Sequence, residues 1–276
     1  MIQQIAIRQI AMIRQNAIRQ IALLPMLFMA LCLSSAAAEP FPDNDIQWIL
    51  DQYQVSEAVS LIPTEGLTGW TFTGDRRIPQ AAKWSVKEGK LMFDRSGDLP
   101  GGDIVTAKQY TNFVLDFAWV AARGCNSGIK YRLKNFPRDE SSEVWGWLGC
   151  EYQILDDPNR GEGSSGDGRW STASLYDVFG PDKEKKKVNP FGEVNTGRIV
   201  VLDKHIEHWL NGVKVMQCEV GNDAWKKGIA ESKFARDSKP GEGFGENPTG
   251  FILLQDHGGT ITFQTLTIRE IGAKKE

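Results

Sequence analysis

The sequence predicts an all-β protein: an antiparallel β-sandwich or jelly roll with short peripheral helices. About a dozen short stretches alternate apolar and polar residues with the period of two that is typical of strands. The 276 residues include 28 glycines and 12 prolines, which favours frequent turns over long helices. A hydrophobic fraction of 41% with 10% aromatic residues is enough for a large core.

Residues 1–38 are predicted to be an export signal. The segment IALLPMLFMALCL supplies an apolar core, and SSAAAEP offers a cleavage site near Ala38. Before the apolar core there is no acidic residue but three arginines: Arg8, Arg14 and Arg19. The apolar run is too short for a membrane anchor, so we expect no stable membrane insertion after cleavage and a periplasmic or extracellular location. Translation could begin at Met1 or Met12.

The rest of the chain is predicted to contain one domain preceded by a short extension. Residues 39–60 carry an apolar stripe at helical spacing, which predicts a helix packed on the outside of the domain. Residues 61–272 contain the predicted strands, including a core strand at Asn112 to Val120 and a meander closed by the type I′ turn signal Asn211-Gly212.

Charge and cysteine content narrow the partners and the redox chemistry. With 32 basic and 35 acidic residues the formal charge is -3, so nothing indicates binding to nucleic acid or an anionic membrane. After signal cleavage Cys125, Cys150 and Cys218 remain, an odd number. Burial of the thiols and a Cys125–Cys150 disulfide, which an oxidising compartment would allow, both stay open.

The central hairpin combines the segments CNSGIKYR and LGCEYQILDD. Alternation sends its apolar side chains to one face. If the two apolar sides pair, the opposite face collects four polar side chains: Lys130, Arg132, Glu151 and Gln153. This surface could be a solvated face with cross-strand charge pairs, or a floor that hydrogen-bonds a polyhydroxylated ligand.

Motifs in the order GLTGW, NSGIKYR, EYQILDD, SLYD, HWLNG, SKF and LLQDHG, spread over residues 61–269, resemble the 3-keto-disaccharide hydrolase family, also called DUF1080 or the 3-keto-glucoside lyase/hydratase domain. The resemblance implies a jelly roll similar to concanavalin A-like lectins and glucanases, with the ligand on its concave face. It also implies an enzyme whose partner is an oligosaccharide or glycoside carrying a ketone at C3. Such an enzyme removes the C2 proton, eliminates the C1 substituent and hydrates the resulting glycal.

This chemistry needs a base, a cation or metal for the enolate oxygen, and donors for the hydroxyls. His257 is the first candidate for base or metal ligand, with fixing of its turn as the alternative. Glu151 is the second candidate base, and Glu151 with His257 could hold a divalent ion. Arg132 is the candidate enolate partner, unless it only pairs with Glu151. His208 is expected in the core and His205 at the surface.

The remaining candidates would bind the sugar. By motif position, four side chains are expected to bind its hydroxyls: Asn126, Gln153, Tyr176 and Gln255. Lys130, on the polar face of the hairpin, is also expected to bind the substrate. Trp170 and Trp147 could stack on a ring. The loop at residues 158–171, with Arg160 and Asp167, could close over a ligand or stay solvated.

Two other functions remain open from the sequence. A retaining glucanase would place acids at positions i, i+2 and i+5 of one strand, which here are Glu151, Gln153 and Asp156, and a retaining pair stands about 5 Å apart. The middle position is an amide, which argues against that enzyme. A non-catalytic carbohydrate-binding module would need no base beside the ligand.

Overall fold

The structure is a computed structural model that describes residues 41–73, 83–96, 101–137, 145–157, 168–237 and 243–276. All of these residues belong to one compact unit. The predicted export signal, Arg160 and Asp167 lie outside the described residues. No helix within the described ranges has the length and apolar character needed to cross a membrane.

Strands dominate the described residues, and the helices are short. In chain order the strands are β1 (Tyr53–Val55), β2 (Val59–Ser60), β3 (Trp70–Phe72), β4 (Trp84–Lys87), β5 (Lys90–Phe93), β6 (Ile104–Thr106), β7 (Phe113–Ala121), β8 (Asn126–Pro137), β9 (Trp145–Leu155), β10 (Val194–Leu202), β11 (His205–Leu210), β12 (Val213–Glu219), β13 (Phe251–Leu254) and β14 (Ile261–Lys274). The helices are a 3-10 turn at Asp43–Ile46, then α1 (Gln47–Gln52), α2 (Asp223–Ala230) and α3 (Phe234–Asp237).

The described strands form two antiparallel sheets, which confirms the predicted sandwich. One sheet has the order β12-β11-β10-β7-β14-β5-β4, with β1 and β2 also paired to β14. The other has five strands in the order β3-β6-β13-β8-β9. The main core lies between the sheets, because each strand sends alternate apolar side chains inward. The last strand, β14, contains a bulge, seen as a register shift against β7 between Phe263 and Thr265.

The N-terminal extension packs on the outer face of the larger sheet, as predicted. Ile46 and Ile49 are fully buried in a small cluster that includes Val114 of β7. Next to this cluster, Arg198 of β10 is 0% exposed and donates to both carboxylate oxygens of Asp116, at 2.5 and 3.0 Å. A buried ion pair therefore lies between the extension and the sheet.

The cysteines and two of the histidines have structural surroundings. Cys125, Cys150 and Cys218 are all free thiols, so of the two open alternatives Cys125 and Cys150 show burial and not a disulfide. His208 is buried as predicted, and burial lowers its pKa to about 3. His205 is half-buried between two glutamates instead of exposed.

Candidate active site

The candidate site lies on the face of the five-stranded sheet that points away from the main core. Lys130 on β8 is directly opposite Glu151 on β9, and Gly128 is opposite Gln153. Gln255, just after β13, donates its N–H to Gly128 O at 3.0 Å. Because alternate side chains share a face, these residues form one polar floor across three neighbouring strands.

At the centre of this floor an ammonium, a carboxylate and an amide meet. Lys130 Nζ lies 3.8 Å from Glu151 Oε2. In the amide orientation that satisfies both neighbours, Gln255 accepts from Lys130 Nζ and donates to Glu151 Oε1, each at 3.2 Å. The side chains of Lys130 and Glu151 are only 18% and 7% exposed. The predicted shared face is therefore present but largely buried, unlike a solvated outer surface.

Burial sets the proton affinity of Glu151. It raises the pKa of the Glu151 carboxyl, and the negative charge of Asp103 adds to that shift, while Lys130 and Lys233 oppose it. A carboxylate whose pKa moves toward neutral becomes a stronger base that is still ionised in part of the physiological range.

Gly128 provides the space in which the Glu151 carboxylate lies. A Cβ placed on Gly128 would be 2.5 Å from Glu151 Oε1 and 3.0 Å from its Cγ. No side chain larger than hydrogen fits beneath the carboxylate without displacing it. The glycine in the NSGIKYR segment therefore has a positional role that its sequence context alone did not reveal.

Gly128→Ala is expected to lower kcat by about 100-fold, because a displacement of the reacting group by about 1 Å can cost that much. The melting temperature should change little, since the carboxylate can move toward solvent. The matched control is Gly272→Ala, whose new Cβ would meet its nearest atom, Gln54 O, at 3.5 Å. Equal activity of the two variants would contradict this role for Gly128.

The loop after residue 168 adds further groups to the site by pairing with the edge of β9. Tyr176 N–H donates to Glu151 O at 3.0 Å, and Ala173 N–H donates to Gln153 O at 2.9 Å. Tyr176 is thereby held beside Glu151, and its binding of a sugar hydroxyl stays a prediction. On the other side, Gln153 Nε2 donates to Asn126 Oδ1 at 3.0 Å, so these two predicted sugar-binding amides are neighbours.

Asp177 accepts hydrogen bonds from two segments at the edge of the site, which we call the rim. Its Oδ1 accepts from the indole N–H of Trp170 at 2.5 Å, and its Oδ2 accepts from the backbone N–H of Lys233 at 2.7 Å. The ammonium of Lys233 lies 4.4 Å from the centre of the Tyr176 ring. Trp170 is half-buried in this rim, and its stacking on sugar stays a prediction. Lys233, in the SKF motif, is a charged rim residue that the sequence reasoning did not single out.

Asp103 is a second carboxyl in the site, half-buried, and sequence reasoning missed it. It immediately precedes β6, and its Oδ1 accepts from Asp256 N–H at 2.7 Å. Burial raises the pKa of Asp103, whereas Lys130 lowers it. His257 follows in the same turn and is exposed, and a positive charge on it would lower the pKa of Asp103. His257 therefore lies at the site, and of the two candidate bases Glu151 is buried and His257 is exposed.

Arg132 does not join this group, and its predicted place beside Glu151 is wrong. A bulge shifts the register between Tyr131 and Lys134, and Arg132 has a positive φ of 50°. Its guanidinium donates to Gly245 O at 3.2 Å and to Asp203 O, in the turn between β10 and β11. The bulge turns the side chain away from the polar floor, so Lys130 is the cation beside Glu151.

One end of the polar floor is apolar. Trp147 packs edge to face against Phe251, with ring centres 5.6 Å apart, next to the buried cluster of Val105, Leu133 and Leu253. The indole N–H of Trp147 donates to Thr73 O at 3.1 Å. Trp147 is thus committed to contacts within the protein, and its stacking on a sugar ring stays a prediction.

Asp156, the third position of the glucanase pattern, has a hydrogen-bond partner of its own outside the polar floor. Asp156 lies after the end of β9, and its Oδ2 accepts from Gly124 N–H at 2.6 Å. The glucanase arrangement on β9 is therefore not supported.

Among the described residues no group of three or more His, Cys, Asp or Glu side chains is placed to hold a metal ion, and the predicted divalent ion stays a prediction.

Comparison with known proteins shows the family to which the chain belongs. Residues 57–269 match the family model described as the 3-keto-alpha-glucoside-1,2-lyase-like domain. The chain belongs to this family. It is also 30% identical, over 228 residues that span 76% of this chain and 77% of the relative, to a 3-keto-disaccharide hydrolase of Bacteroides thetaiotaomicron. The resemblance predicted from the ordered motifs is confirmed.

Solved structures extend the family relationship to the fold. A candidate glycosyl hydrolase of Parabacteroides distasonis is 29% identical, with a TM-score of 0.60 and coverage of 79% of this chain and 98% of that one. A second candidate glycosyl hydrolase of the same organism, 23% identical with a TM-score of 0.53, covers 78% of this chain and 100% of its own, and supports the fold alone. Membership in the lyase-like family together with the first structure makes this protein a carbohydrate-active enzyme that acts on glycosides.

Proposed function

We propose that this enzyme cleaves glycosides whose sugar carries a ketone at C3, by removing the C2 proton, eliminating the C1 substituent and hydrating the glycal. The observation that supports this most is the buried Glu151 carboxylate with Lys130 Nζ at 3.8 Å. A ketone acidifies the neighbouring C–H, so a carboxylate of raised pKa can serve as the base when a cation stabilises the enolate oxygen. Glu151 and Lys130 supply these two groups.

The surrounding side chains have the chemistry to orient a sugar. Amides and a phenol can donate to and accept from hydroxyl groups. Held on rigid strands or on the paired loop, such groups fix a ring relative to the base. The groups are Asn126, Gln153, Gln255 and Tyr176, with His257 exposed at the turn.

The decisive test is incubation of the pure protein with a 3-keto disaccharide and with its unoxidised parent, each with and without a chelator. We expect 3-keto-glucose and the free aglycone sugar from the first substrate only. Cleavage of the unoxidised saccharide would support a glucanase, and binding without cleavage of either would support a carbohydrate-binding module. Loss of activity with the chelator would support the predicted divalent ion.

The pH dependence of kcat/KM should report the ionisation of Glu151. The base acts when deprotonated, so activity is present above its pKa and is lost as the pH falls through it. Because burial raises this pKa, the acid limb should lie above 4.5, the ordinary value for glutamate. Initial rates on a 3-keto-glucoside across the acid and neutral range measure this, and an acid limb at or below 4.5 would contradict a buried carboxylate base.

The export signal predicted for residues 1–38 makes a periplasmic or extracellular enzyme the accompanying proposal. Its test is the N-terminal sequence of the protein recovered from each cell fraction. A mature chain beginning near Glu39 outside the cytoplasm is expected. Intact Met1 or Met12 in the cytoplasm would contradict export.

A further inference from the structure

The proposed elimination needs two proton transfers at different atoms of the substrate. Glu151 accounts for the proton leaving C2. As the bond from C1 to the glycosidic oxygen breaks, an alkyl leaving group would depart as a strongly basic alkoxide unless an acid protonates it. The hydration that follows also needs a base to activate water at C1. A second acid–base group near the floor could serve both purposes.

Asp103 is the carboxyl placed for this second task. It lies just before β6, and Glu151 lies on β9, with β13 and β8 between these strands. With neighbouring strands about 4.8 Å apart, the two backbones stand about 14 Å from each other across the sheet. Both carboxyl groups interact with the Lys130 ammonium between them. They therefore approach the same floor from opposite sides.

We propose that Asp103 is the acid that protonates the leaving glycosidic oxygen and then the base that activates water, an inference that rests on the proposed function. In the elimination, Glu151 takes the C2 proton and the C2–H electron pair forms the enolate. That pair then forms the C1=C2 double bond and the ketone is restored. The C1–O bond breaks with its electrons on oxygen, which takes the proton from Asp103.

The hydration reverses these transfers and resets both groups. Asp103, now ionised, takes a proton from water while the water oxygen bonds to C1. The C1=C2 electrons move into a new enolate, and C2 takes the proton back from Glu151. The products are 3-keto-glucose and the free alcohol, Asp103 ends protonated and Glu151 ionised, and no oxidant or reductant is needed.

The electrostatics of the two groups agree with this exchange. Burial raises the pKa of both carboxyls, and the negative charge of Asp103 raises the pKa of Glu151 further. The negative charge of one carboxyl opposes a second negative charge on the other, so their mutual repulsion favours protonation of one of them. The Lys130 ammonium, which opposes the shift at both groups, compensates the single charge that remains.

Asp103→Asn separates the acid role from a structural one. The amide keeps an oxygen that can accept from Asp256 N–H, so the turn should stay in place. We expect kcat on an alkyl 3-keto-glucoside to fall by about 10²–10⁴-fold, and kcat on a nitrophenyl 3-keto-glucoside to fall by less than about tenfold, since nitrophenolate leaves without protonation. With the nitrophenyl substrate, the variant should also release nitrophenol faster than 3-keto-glucose and accumulate the glycal.

Asp256→Asn is the matched control, because Asp256 accepts from Arg95 at 3.1 Å and from Gly102 N–H at 2.8 Å and so supports the same turn. A disturbance of the turn alone should slow both substrates equally. If Asp103→Asn does the same without glycal accumulation, or keeps full activity on the alkyl substrate, the role of Asp103 is overturned. A wild-type enzyme that cleaves neither substrate overturns the proposed function as well.

Discussion

Glu151→Gln is expected to lower kcat on a 3-keto-glucoside by about 10²–10⁴-fold, the range typical of removing a general base. The amide has nearly the same shape, and it can keep contacts to Gln255 and Lys130, but it cannot accept the C2 proton. Exchange of the C2 hydrogen with deuterated water, followed by NMR, should stop along with cleavage. This readout isolates proton removal from the later steps.

The matched control for this variant is Glu207→Gln, which alters another buried glutamate. Glu207 is 2% exposed and bonds to Lys214 and to the indole of Trp209, on the larger sheet. Its replacement should lower stability without changing kcat. His257→Ala, at the exposed turn, should retain more activity than Glu151→Gln. The reverse order would make His257 the base and Glu151 a supporting group.

Asp116→Ala is expected to lower the free energy of unfolding by about 3–5 kcal/mol, because it leaves the fully buried Arg198 charge without its bidentate partner. Arg269 also donates to Asp116, at 3.2 Å, so both arginines lose a contact. Urea unfolding measures the effect as a lower midpoint with an unchanged slope. Activity per folded molecule should stay near that of the wild type, since this pair lies on the other sheet.

Asp43→Ala is the control for the buried pair. Asp43 is 60% exposed and contacts Arg269 at 2.6 Å, an ion pair in water that contributes at most about 1 kcal/mol. If the two variants lose equal stability, Arg198 must be compensated by its remaining neighbours. These are the Asp45 carboxylate at 3.9 Å, the Phe41 ring at 4.7 Å, and the Phe41 and Pro42 carbonyls at 3.5 and 3.3 Å. In that case contacts of the N-terminal segment, and not the Arg198–Asp116 ion pair in the sheet, account for the loss of stability in both variants.

Alternation along the chain was sufficient to predict the sandwich and most of the polar floor. A strand has a period of two, so the residue types of β8 and β9 already separate a core side from a polar side. Lys130, Glu151 and Gln153 follow that rule. The same argument predicted His208 to lie in the core, because it shares a face of β11 with Ile206 and Leu210.

The misplacement of Arg132 and the omission of Asp103 have separate physical causes. The side chain of Arg132 was assigned to the wrong face of β8. Alternate residues share a face only while the register of the strand is regular, and the bulge after Tyr131 interrupts that register. Asp103 was missed because its neighbouring strand β6 has only three residues and follows glycines, which leaves too short a pattern to recognise. Its approach to Lys130 depends on the order of strands in the sheet, a long-range property that local periodicity does not contain.

The contacts of Asp177 have a mechanical consequence for access to the enzyme. One carboxylate couples the segment at Trp170 and Tyr176 to the chain between α2 and α3, which carries Lys233. Neither segment can swing outward alone without breaking a short charge-assisted hydrogen bond. The hydrogen bond to Lys233 therefore favours movement of the two segments together over movement of either one alone.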